Sequence, residues 1–299
     1  MSGMHINDHI FGGVAALISA AAWAYGPILF RGLSGRFTPA SLNLARCVLG
    51  ALLLSAVMLF FGVQPLSARS VLFLVLSGVF GIALGDTFFF KGLFHIGPRM
   101  AVVMETLCPA VTVILAVIFL GERPTIQAWT GILLIISGVS WVIWEKGPKE
   151  LLKENWAKGV KFGVLSVFFT SIGIILTKIG VTSSGPVTST VIRLISGGTV
   201  LFIFAILRQE PLGWIAPFRE GRVCLRFFSA VMIGTCIGLL FSVIALKYTA
   251  ASLAVPLNST SPIFVIPMAY LVFGERISQR SMVGAFMTVA GVTLVLLFS

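Results

Sequence analysis

The chain has 299 residues, of which 58% are hydrophobic and 10% are charged, and its formal net charge is +11. Soluble domains usually carry about 25% charged residues, so this composition excludes a water-soluble globular protein. The positive charge does not indicate nucleic-acid binding, because the Lys and Arg residues lie mainly between long apolar runs and no basic folded domain is present. The apolar runs approach the ~20 residues that cross a bilayer, and they predict an all-α integral membrane protein.

In chain order, the apolar runs predict ten transmembrane helices. Their approximate bounds are 12–33, 39–61, 70–92, 99–120, 126–144, 158–179, 186–207, 223–246, 252–273 and 279–298. The longest polar connections are 145–157 and 208–222. We therefore expect a first five-helix unit over 12–144, a cytoplasmic linker over 145–157 and a second five-helix unit over 158–298.

A repeated pattern relates the two units. The stretch Ala101–Arg123 aligns with Ala254–Arg276 at an offset of 153 positions, which superposes a proline and a Gly-Glu-Arg tripeptide. At an offset of 147, Arg46 falls on Arg193. Several marks held at one spacing predict an internal duplication. Because five spans is an odd number, the second unit enters the membrane from the opposite side, which gives two inverted five-helix repeats.

The basic residues predict the orientation of the chain. Fifteen of the 21 Lys and Arg residues lie on the side that holds the connections after spans 1, 3, 5, 7 and 9, and four lie on the other side. The positive-inside rule puts the fifteen in the cytoplasm, so that both termini face outward. We expect a multi-pass protein of the cell inner (plasma) membrane.

Two acidic residues, Asp86 and Glu105, lie well inside predicted spans. A charge at mid-membrane costs ~2.5–3.5 kcal/mol on insertion scales, so each must face a cavity or a partner. Neither is repeated, since Asp86 falls on Leu239 and Glu105 falls on Asn258. This asymmetry suits a coupling or substrate site better than it suits packing.

An alternative is structural pairing of these acids with Arg46 and Arg193, which also lie within spans. Glu105 precedes Pro109 by about one turn, where the backbone groups freed by proline should widen the site. For the aromatic pair Trp23 and Tyr25, in the middle of the first span, two interpretations stay open. They form either the wall of a ligand cavity or part of a packed core.

No pattern indicates an enzyme, a cofactor or a metal. The sequence has no P-loop and no HExxH motif, and three histidines at positions 5, 9 and 95 do not make a strong metal site. We therefore expect a protein without catalytic residues, whose partners are the lipid bilayer and a small molecule.

Three features together carry a resemblance to a known family. They are the five-plus-five duplication, an arginine early in the second span of each half (Arg46 and Arg193), and a proline followed by Leu-Gly-Glu-Arg or Phe-Gly-Glu-Arg. These motifs begin at Pro109 in the first half and at Pro262 in the second. In these respects the chain resembles the EamA branch of the drug/metabolite transporter superfamily over nearly its whole length.

The resemblance implies a basket of helices around a central cavity lined mainly by spans 1, 3, 4, 6, 8 and 9. It also implies a secondary active transporter that works by alternating access, exports a small metabolite such as an amino acid, and has proton coupling as one option. The rival classes are a channel and a signalling or enzyme component. A monomer and a homodimer are both compatible with the sequence. The candidate cavity residues are Trp23, Tyr25, Arg46, Asp86, Glu105, Arg193 and Asn258.

Overall fold

A computed structural model describes residues 6–61, 66–120, 125–144, 153–209, 214–249, 251–258 and 279–298, together with residues 260, 261, 264, 268, 270 and 271. These residues form helices and turns, with no strand among them. Six helical stretches are long and apolar enough to cross a membrane: Phe11–Arg31, Pro39–Phe60, Ala68–Glu105, Asn155–Val181, Pro186–Leu207 and Gly221–Tyr248. Two shorter apolar stretches are Trp129–Gly138 and Met282–Gly291. The predicted span over 252–273 lies partly outside the described residues, so the count of ten stays a prediction.

The first half consists of α-helices with one π-helical segment. The elements are α1 (Ile6–Arg31), α2 (Pro39–Phe61), α3 (Ala68–Ser77), a π-helical segment (Gly78–Asp86), α4 (Thr87–Glu105), α5 (Cys108–Leu120) and α6 (Ile126–Trp144). Pro27 lies inside α1 without interrupting it. Inside α4, Gly97 has φ 79° and ψ 168°, a conformation that glycine adopts readily, and it breaks the helical path just before Pro98. This break lies between the two runs predicted as the third and fourth spans.

The second half follows the same plan. Its elements are α7 (Lys153–Val181), α8 (Pro186–Leu207), a short 3-10 helix (Ala216–Arg219), α9 (Gly221–Ala230), a π-helical segment (Val231–Leu239), α10 (Leu240–Tyr248), α11 (Ala251–Asn258) and α12 (Gln279–Phe298). Helix α7 begins inside the predicted linker 145–157, because its first turn is polar and extends the helix beyond the apolar run. Residues 145–152 of that linker lie outside the described part of the chain.

The two π-helical segments occupy equivalent positions. Gly78–Asp86 and Val231–Leu239 are both nine residues long and are separated by 153 positions. A π-helical turn is wider than an α-helical turn and often occurs at functional sites. Each segment contains a glycine, Gly81 and Gly234, that lies against the backbone of another helix.

These glycines make matched contacts between the halves. A Cβ atom on Gly26 of α1 would lie 2.9 Å from the Cα atom of Gly234, and a Cβ atom on Gly173 of α7 would lie 2.6 Å from the Cα atom of Gly81. Gly26 and Gly173 are repeat equivalents, as are Gly81 and Gly234. Helix backbones can approach this closely only where small residues face each other. Each half therefore contributes one helix to each of two equivalent crossings.

Helices α6 and α12 pack against each other reciprocally. A Cβ atom on Gly138 would lie 2.7 Å from the carbonyl oxygen of Gly284, and a Cβ atom on Gly291 would lie 2.6 Å from the carbonyl oxygen of Gly131. Because both pairs of glycines are repeat equivalents, exchanging the two halves reproduces the contact. The helices contact each other as two copies of one surface do across a two-fold axis.

Basic side chains bind the carbonyls at equivalent helix ends. The Arg31 guanidinium donates hydrogen bonds to the carbonyls of Leu93 and Phe94 before the Gly97 break. Its repeat equivalent Lys178 donates to the carbonyl of Leu246 in the last turn of α10, at 2.8 Å. Cations at this position compensate the free carbonyls and the dipole of a helix C-terminus.

Candidate functional site

A cavity of about 110 Å³ lies between the two halves. Its walls come from α1, α4, α5, α7, α8, α11 and both π-helical segments. Five of the seven residues that the sequence singled out contribute to its lining, namely Trp23, Asp86, Glu105, Arg193 and Asn258. Apolar side chains such as Phe89 and Val255 cover much of the remaining wall. The cavity is therefore an apolar chamber with a few polar groups, as is typical of small-molecule sites.

The other two candidate residues lie elsewhere. Arg46 lines a neighbouring void of about 10 Å³ that shares Trp23 and Asp86 with the main cavity. Tyr25 is absent from the described lining of both spaces, and its half-buried ring packs against a core cluster that includes Ile28. Trp23, by contrast, faces the cavity and meets Phe89 edge to face, with ring centroids 6.3 Å apart. The two aromatic neighbours in the sequence thus separate, one to the cavity and one to the core.

Asp86 forms a buried ion pair with Arg46. The Nη2 atom of Arg46, a residue only 2% exposed, donates to the Asp86 carboxylate and also to Asn43 Oδ1 at 2.7 Å. The Asn43 amide in turn donates to the Ile82 carbonyl at 2.8 Å and to Thr87 Oγ1 at 2.9 Å. The negative charge of Asp86 is therefore compensated directly, which is the structural pairing that the sequence left open. The sequence did not single out Asn43, although its place one turn before Arg46 could have suggested it.

Glu105 is bound differently. It is the last residue of α4, and a turn at Thr106 and Leu107 separates it from α5. Its Oε1 atom lies 2.6 Å from the Ser166 hydroxyl, and its Oε2 atom accepts a hydrogen bond from the Cys108 thiol at 3.3 Å. Among the described residues the ion pairs are Arg36–Glu220 and Arg46–Asp86, so Glu105 has no ion-pair partner in that part of the chain.

The Ser166 hydroxyl links Glu105 to the backbone. Its oxygen lies 3.1 Å from the carbonyl oxygen of Gly85 as well as 2.6 Å from Glu105 Oε1. A hydroxyl has one proton to donate, and a carbonyl oxygen can only accept. If Ser166 donates to Gly85, the contact with Glu105 is complete only when the carboxyl carries a proton. If Glu105 is ionised, Ser166 donates to it instead. The site thus has two hydrogen-bonded arrangements that differ by one proton.

Breaks in two equivalent helices expose this region to the cavity. Helix α4 ends at Glu105 and helix α11 ends at its repeat equivalent, Asn258. The Nδ2 atom of Asn258 lies 3.5 Å from Ser242 Oγ, and its buried Oδ1 atom has no hydrogen-bond partner in the described part of the chain. Pro109 lies in the first turn of α5, directly after the break. Discontinuous helices of this kind form the substrate and ion sites of many transporters.

Arg193 provides the remaining charge of the cavity. It is 7% exposed, and its Nε atom donates to Ser77 Oγ at 3.0 Å. In the described residues it forms no ion pair of its own. Since Arg46 and Asp86 compensate each other, Glu105 and Arg193 are the groups whose charges a bound molecule or proton would meet. Sequence analysis did not single out Ser166, nor Cys108 and Thr170, which line the cavity. Their partners lie on other helices, which apolar runs do not reveal.

These observations define a class: a multi-pass helical membrane protein with a mainly apolar cavity that holds a few polar groups at helix breaks between its halves. The sequence profile of the EamA-like transporter family matches residues 10–144 and again residues 157–297, and the chain belongs to this family. Membership places it in the drug/metabolite transporter superfamily. It is a membrane transporter, which implies a small-molecule substrate and a surrounding bilayer.

Two individual proteins are similar over almost the whole chain. A protein of Archaeoglobus fulgidus described as an uncharacterized transporter is 24% identical over 286 residues, which cover 94% of this chain and 96% of that protein. A crystal structure with 16% sequence identity matches with a TM-score of 0.70 and covers 96% of each chain. At that identity the second match shows a common fold.

Proposed function

We propose that the protein is a secondary active exporter of a small metabolite such as an amino acid, driven by the proton gradient through Glu105. It consists of ten spans in two inverted repeats, lies in the inner (plasma) membrane and has both termini outside. The observation that carries the proposal is the setting of Glu105, an acid that lines the cavity, has hydroxyl and thiol partners, and has no ion pair in the described residues. An intramembrane acid in such a setting is a functional candidate.

Glu105 acts by exchanging a proton for a charged group of the substrate. In its ionised form it accepts the hydrogen bond from Ser166 and attracts a cationic group such as an ammonium. When a proton arrives, Ser166 donates to Gly85, the carboxyl becomes neutral and the attraction for the cation is lost. Proton and substrate therefore compete for one group, so that inward movement of a proton drives outward movement of substrate.

The rest of the cavity supports a zwitterionic substrate. Arg193 lines the same chamber as Glu105 and can bind a carboxylate. The Oδ1 atom of Asn258 has no hydrogen-bond partner among the described residues and can accept a hydrogen bond from an amine. Trp23 and Phe89 offer an apolar wall to a side chain. With Arg46 and Asp86 compensating each other, the described lining presents one negative and one positive group, Glu105 and Arg193, which matches an amino acid in charge.

Alternating access uses the contacts that the two halves make with each other. At the glycine crossings Gly26–Gly234 and Gly173–Gly81 the helix backbones approach each other directly, and we expect small rotations of one helix against another there. The cavity lies beside both crossings, because the π-helical segments contribute to its lining. A rocking motion about them would expose the cavity to each side of the membrane in turn.

The test begins with the substrate. Cells with and without the protein are compared for retained metabolites, and the compound that differs most is loaded into proteoliposomes containing the purified protein. We expect saturable efflux that an inward proton gradient accelerates. Glu105→Gln replaces the carboxylate by a neutral amide, so it should lose at least tenfold of the gradient-driven flux and should also bind substrate more weakly in exchange at equal pH. Glu220→Gln removes an acid of the Arg36 ion pair and serves as the matched control, which should transport as the unmodified protein does.

Thermal unfolding of the same preparations distinguishes coupling from a structural role. Glu105→Gln should unfold at or above the temperature of the unmodified protein, because removing a buried charge lowers the cost of burial. A large loss of stability would instead reveal a structural partner for Glu105. Unchanged stability together with unchanged gradient-driven flux would remove Glu105 from the mechanism. Flux that does not saturate would indicate a channel.

A further inference from the structure

Helices α2 and α8 form an apolar groove that opens toward the outside of the helix bundle. The groove has a volume of about 460 Å³ and extends along α2 from Leu44 to Ser55, about 16 Å at ~1.5 Å per residue. Three large apolar side chains on its walls are strongly exposed: Leu52 at 65%, Ile195 at 53% and Phe202 at 42%. In a membrane such a surface faces lipid, so its natural occupant is an acyl chain.

A polar pocket continues the groove at one end. It has a volume of about 140 Å³ and shares Leu44 and Trp214 with the groove. Two arginines line it, Arg36 after α1 and Arg208 after α8, together with the hydroxyls of Thr38 and Ser41 at the start of α2. An apolar channel that opens directly into a cationic, hydroxyl-lined pocket matches a molecule with an acyl tail and an anionic head.

We propose that α2 and α8 bind an anionic phospholipid, with its phosphate at Arg36 and Arg208 and an acyl chain in the groove. Arginine guanidinium groups bind phosphate through paired hydrogen bonds. The half-buried Trp214 lies where pocket and groove meet, the level at which tryptophan anchors proteins to the headgroup region. The predicted orientation puts this end in the cytoplasmic leaflet, which is rich in anionic lipid.

The charges around the pocket favour an anion. Arg36 is paired with Glu220 at 2.8 Å, but both side chains are about half exposed (55% and 51%), so this ion pair is weak and can rearrange. The Arg208 guanidinium stacks over the Phe204 ring, with its central carbon 5.2 Å from the ring centroid. Arg219 and Arg222 lie beside Glu220 in the chain. Near Glu220 the cations therefore outnumber the acid.

A second copy of the chain fits this surface less well than a lipid. A two-fold dimer would bring the same patch of each copy together. Where the polar pockets met, the Arg36 and Arg208 groups of one copy would oppose those of the other. The like charges would repel unless an anion lay between them. A phospholipid supplies that anion and fills the groove in one molecule.

Native mass spectrometry of the full chain in detergent tests the proposal. The probes are phosphatidylglycerol, phosphatidylcholine of the same chain length, and glycerol 3-phosphate as a soluble competitor. We expect phosphatidylglycerol to bind at least tenfold more tightly than phosphatidylcholine, with no displacement by glycerol 3-phosphate. Each arginine should contribute about fivefold, so Arg36→Gln/Arg208→Gln should weaken phosphatidylglycerol binding about 25-fold. Arg69→Gln, at an exposed arginine at the start of α3, is the matched control and should change nothing.

A second variant tests the groove separately from the charges. Thr199 is exposed on the groove wall, so Thr199→Trp fills the groove without entering the core. It should weaken the binding of both lipids at least fivefold and leave the oligomeric state of the protein unchanged. Unaltered phosphatidylglycerol binding in either the arginine or the tryptophan variant would overturn the proposal. So would equal retention of both lipids, displacement by glycerol 3-phosphate, or a lipid-free dimer that Thr199→Trp dissociates.

Discussion

Ser166 and Ser19 occupy equivalent positions, and each contacts the carbonyl of an equivalent glycine; we call each of these contacts a serine corner. The corner around Ser166 also includes an acid, Glu105. Ser19 Oγ donates to the carbonyl of Gly238 at 2.7 Å, and Ser166 Oγ lies 3.1 Å from the carbonyl of the equivalent Gly85. In the first half Glu105 joins this contact, whereas its equivalent in the second half, Asn258, lies near Ser242. The glycine and the serine hydroxyl are thus repeated in both corners, whereas the acid, Glu105, is present only in the corner around Ser166.

The two buried arginines differ in the same way. Arg46 pairs with Asp86, and the position equivalent to Asp86 in the second half is Leu239. Arg193 instead binds Ser77, whose equivalent is Ala230. Equivalent cations therefore have different partners. The charge of Arg46 is compensated by Asp86 and has a structural role. The charge of Arg193 stays available to a ligand in the cavity.

The largest expected effect breaks the compensated pair. Asp86→Ala leaves Arg46 buried without its partner, which should lower the free energy of unfolding by ~3–5 kcal/mol. Ser77→Ala removes the hydrogen bond from Arg193 and the contacts of Ser77 Oγ with the Gly173 carbonyl and Thr177 Oγ1, but it separates no ion pair and should cost less, about 1.5–3 kcal/mol. Denaturant unfolding in detergent measures both. The double variant Arg46→Met/Asp86→Leu should recover most of the loss, because it replaces the pair by apolar groups. Equal losses for Asp86→Ala and Ser77→Ala would contradict the contrast.

A smaller effect compares the two glycine crossings. A Cβ atom on Gly173 would lie 2.6 Å from the Cα atom and 3.0 Å from the amide nitrogen of Gly81, and both are backbone atoms. A Cβ atom on Gly26 would lie 2.9 Å from one Cα atom, with the next backbone atom at 3.6 Å. Overpacking costs about 1–3 kcal/mol, so Gly173→Ala should lie toward the upper limit and Gly26→Ala toward the lower limit. Thermal unfolding measures the order.

The control for the glycine comparison is Gly221→Ala. A Cβ atom there meets nothing within 4 Å, so the melting temperature should not fall. If Gly26→Ala proved as harmful as Gly173→Ala, the two crossings would be equally tight, and the difference in distance would have no energetic meaning.

Sequence reasoning anticipated the family and much of the cavity, because both leave marks in the chain itself. An acid such as Glu105 stands out within an apolar run, because a charge is costly to place in the membrane. The repeat offset of 153 positions then identifies Asn258 as its equivalent in the second half. The π-helical segments could not be read, since a change from i→i+4 to i→i+5 hydrogen bonds leaves the hydropathy unchanged. The sequence also did not reveal the hydrogen-bond partners of Glu105. Ser166 and Glu105 are 61 positions apart, and packing alone brings them together.

The smallest effect on stability sharpens the comparison of the two serine corners. Ser19→Ala removes one buried hydrogen bond and Ser166→Ala removes one or two, according to the protonation of Glu105, so each should cost about 1–2 kcal/mol of folding free energy. Their effects on function should differ. Ser166 contacts Glu105 in both protonation arrangements, and its loss should slow gradient-driven transport about fivefold, the rate equivalent of ~1 kcal/mol. Ser19 has no acid in the equivalent place, so Ser19→Ala should transport as the unmodified protein does.

The two serine variants are best compared in the same proteoliposomes, with exchange at equal pH as the reference. Exchange should be unchanged in both, because neither hydroxyl lines the cavity among its described residues. A slower gradient-driven rate in Ser166→Ala alone would tie the contact between Ser166 and Glu105 to proton coupling. Equal slowing in both variants would assign the serines to helix packing. Any coupling role of Glu105 would then have to be independent of the Ser166 hydroxyl.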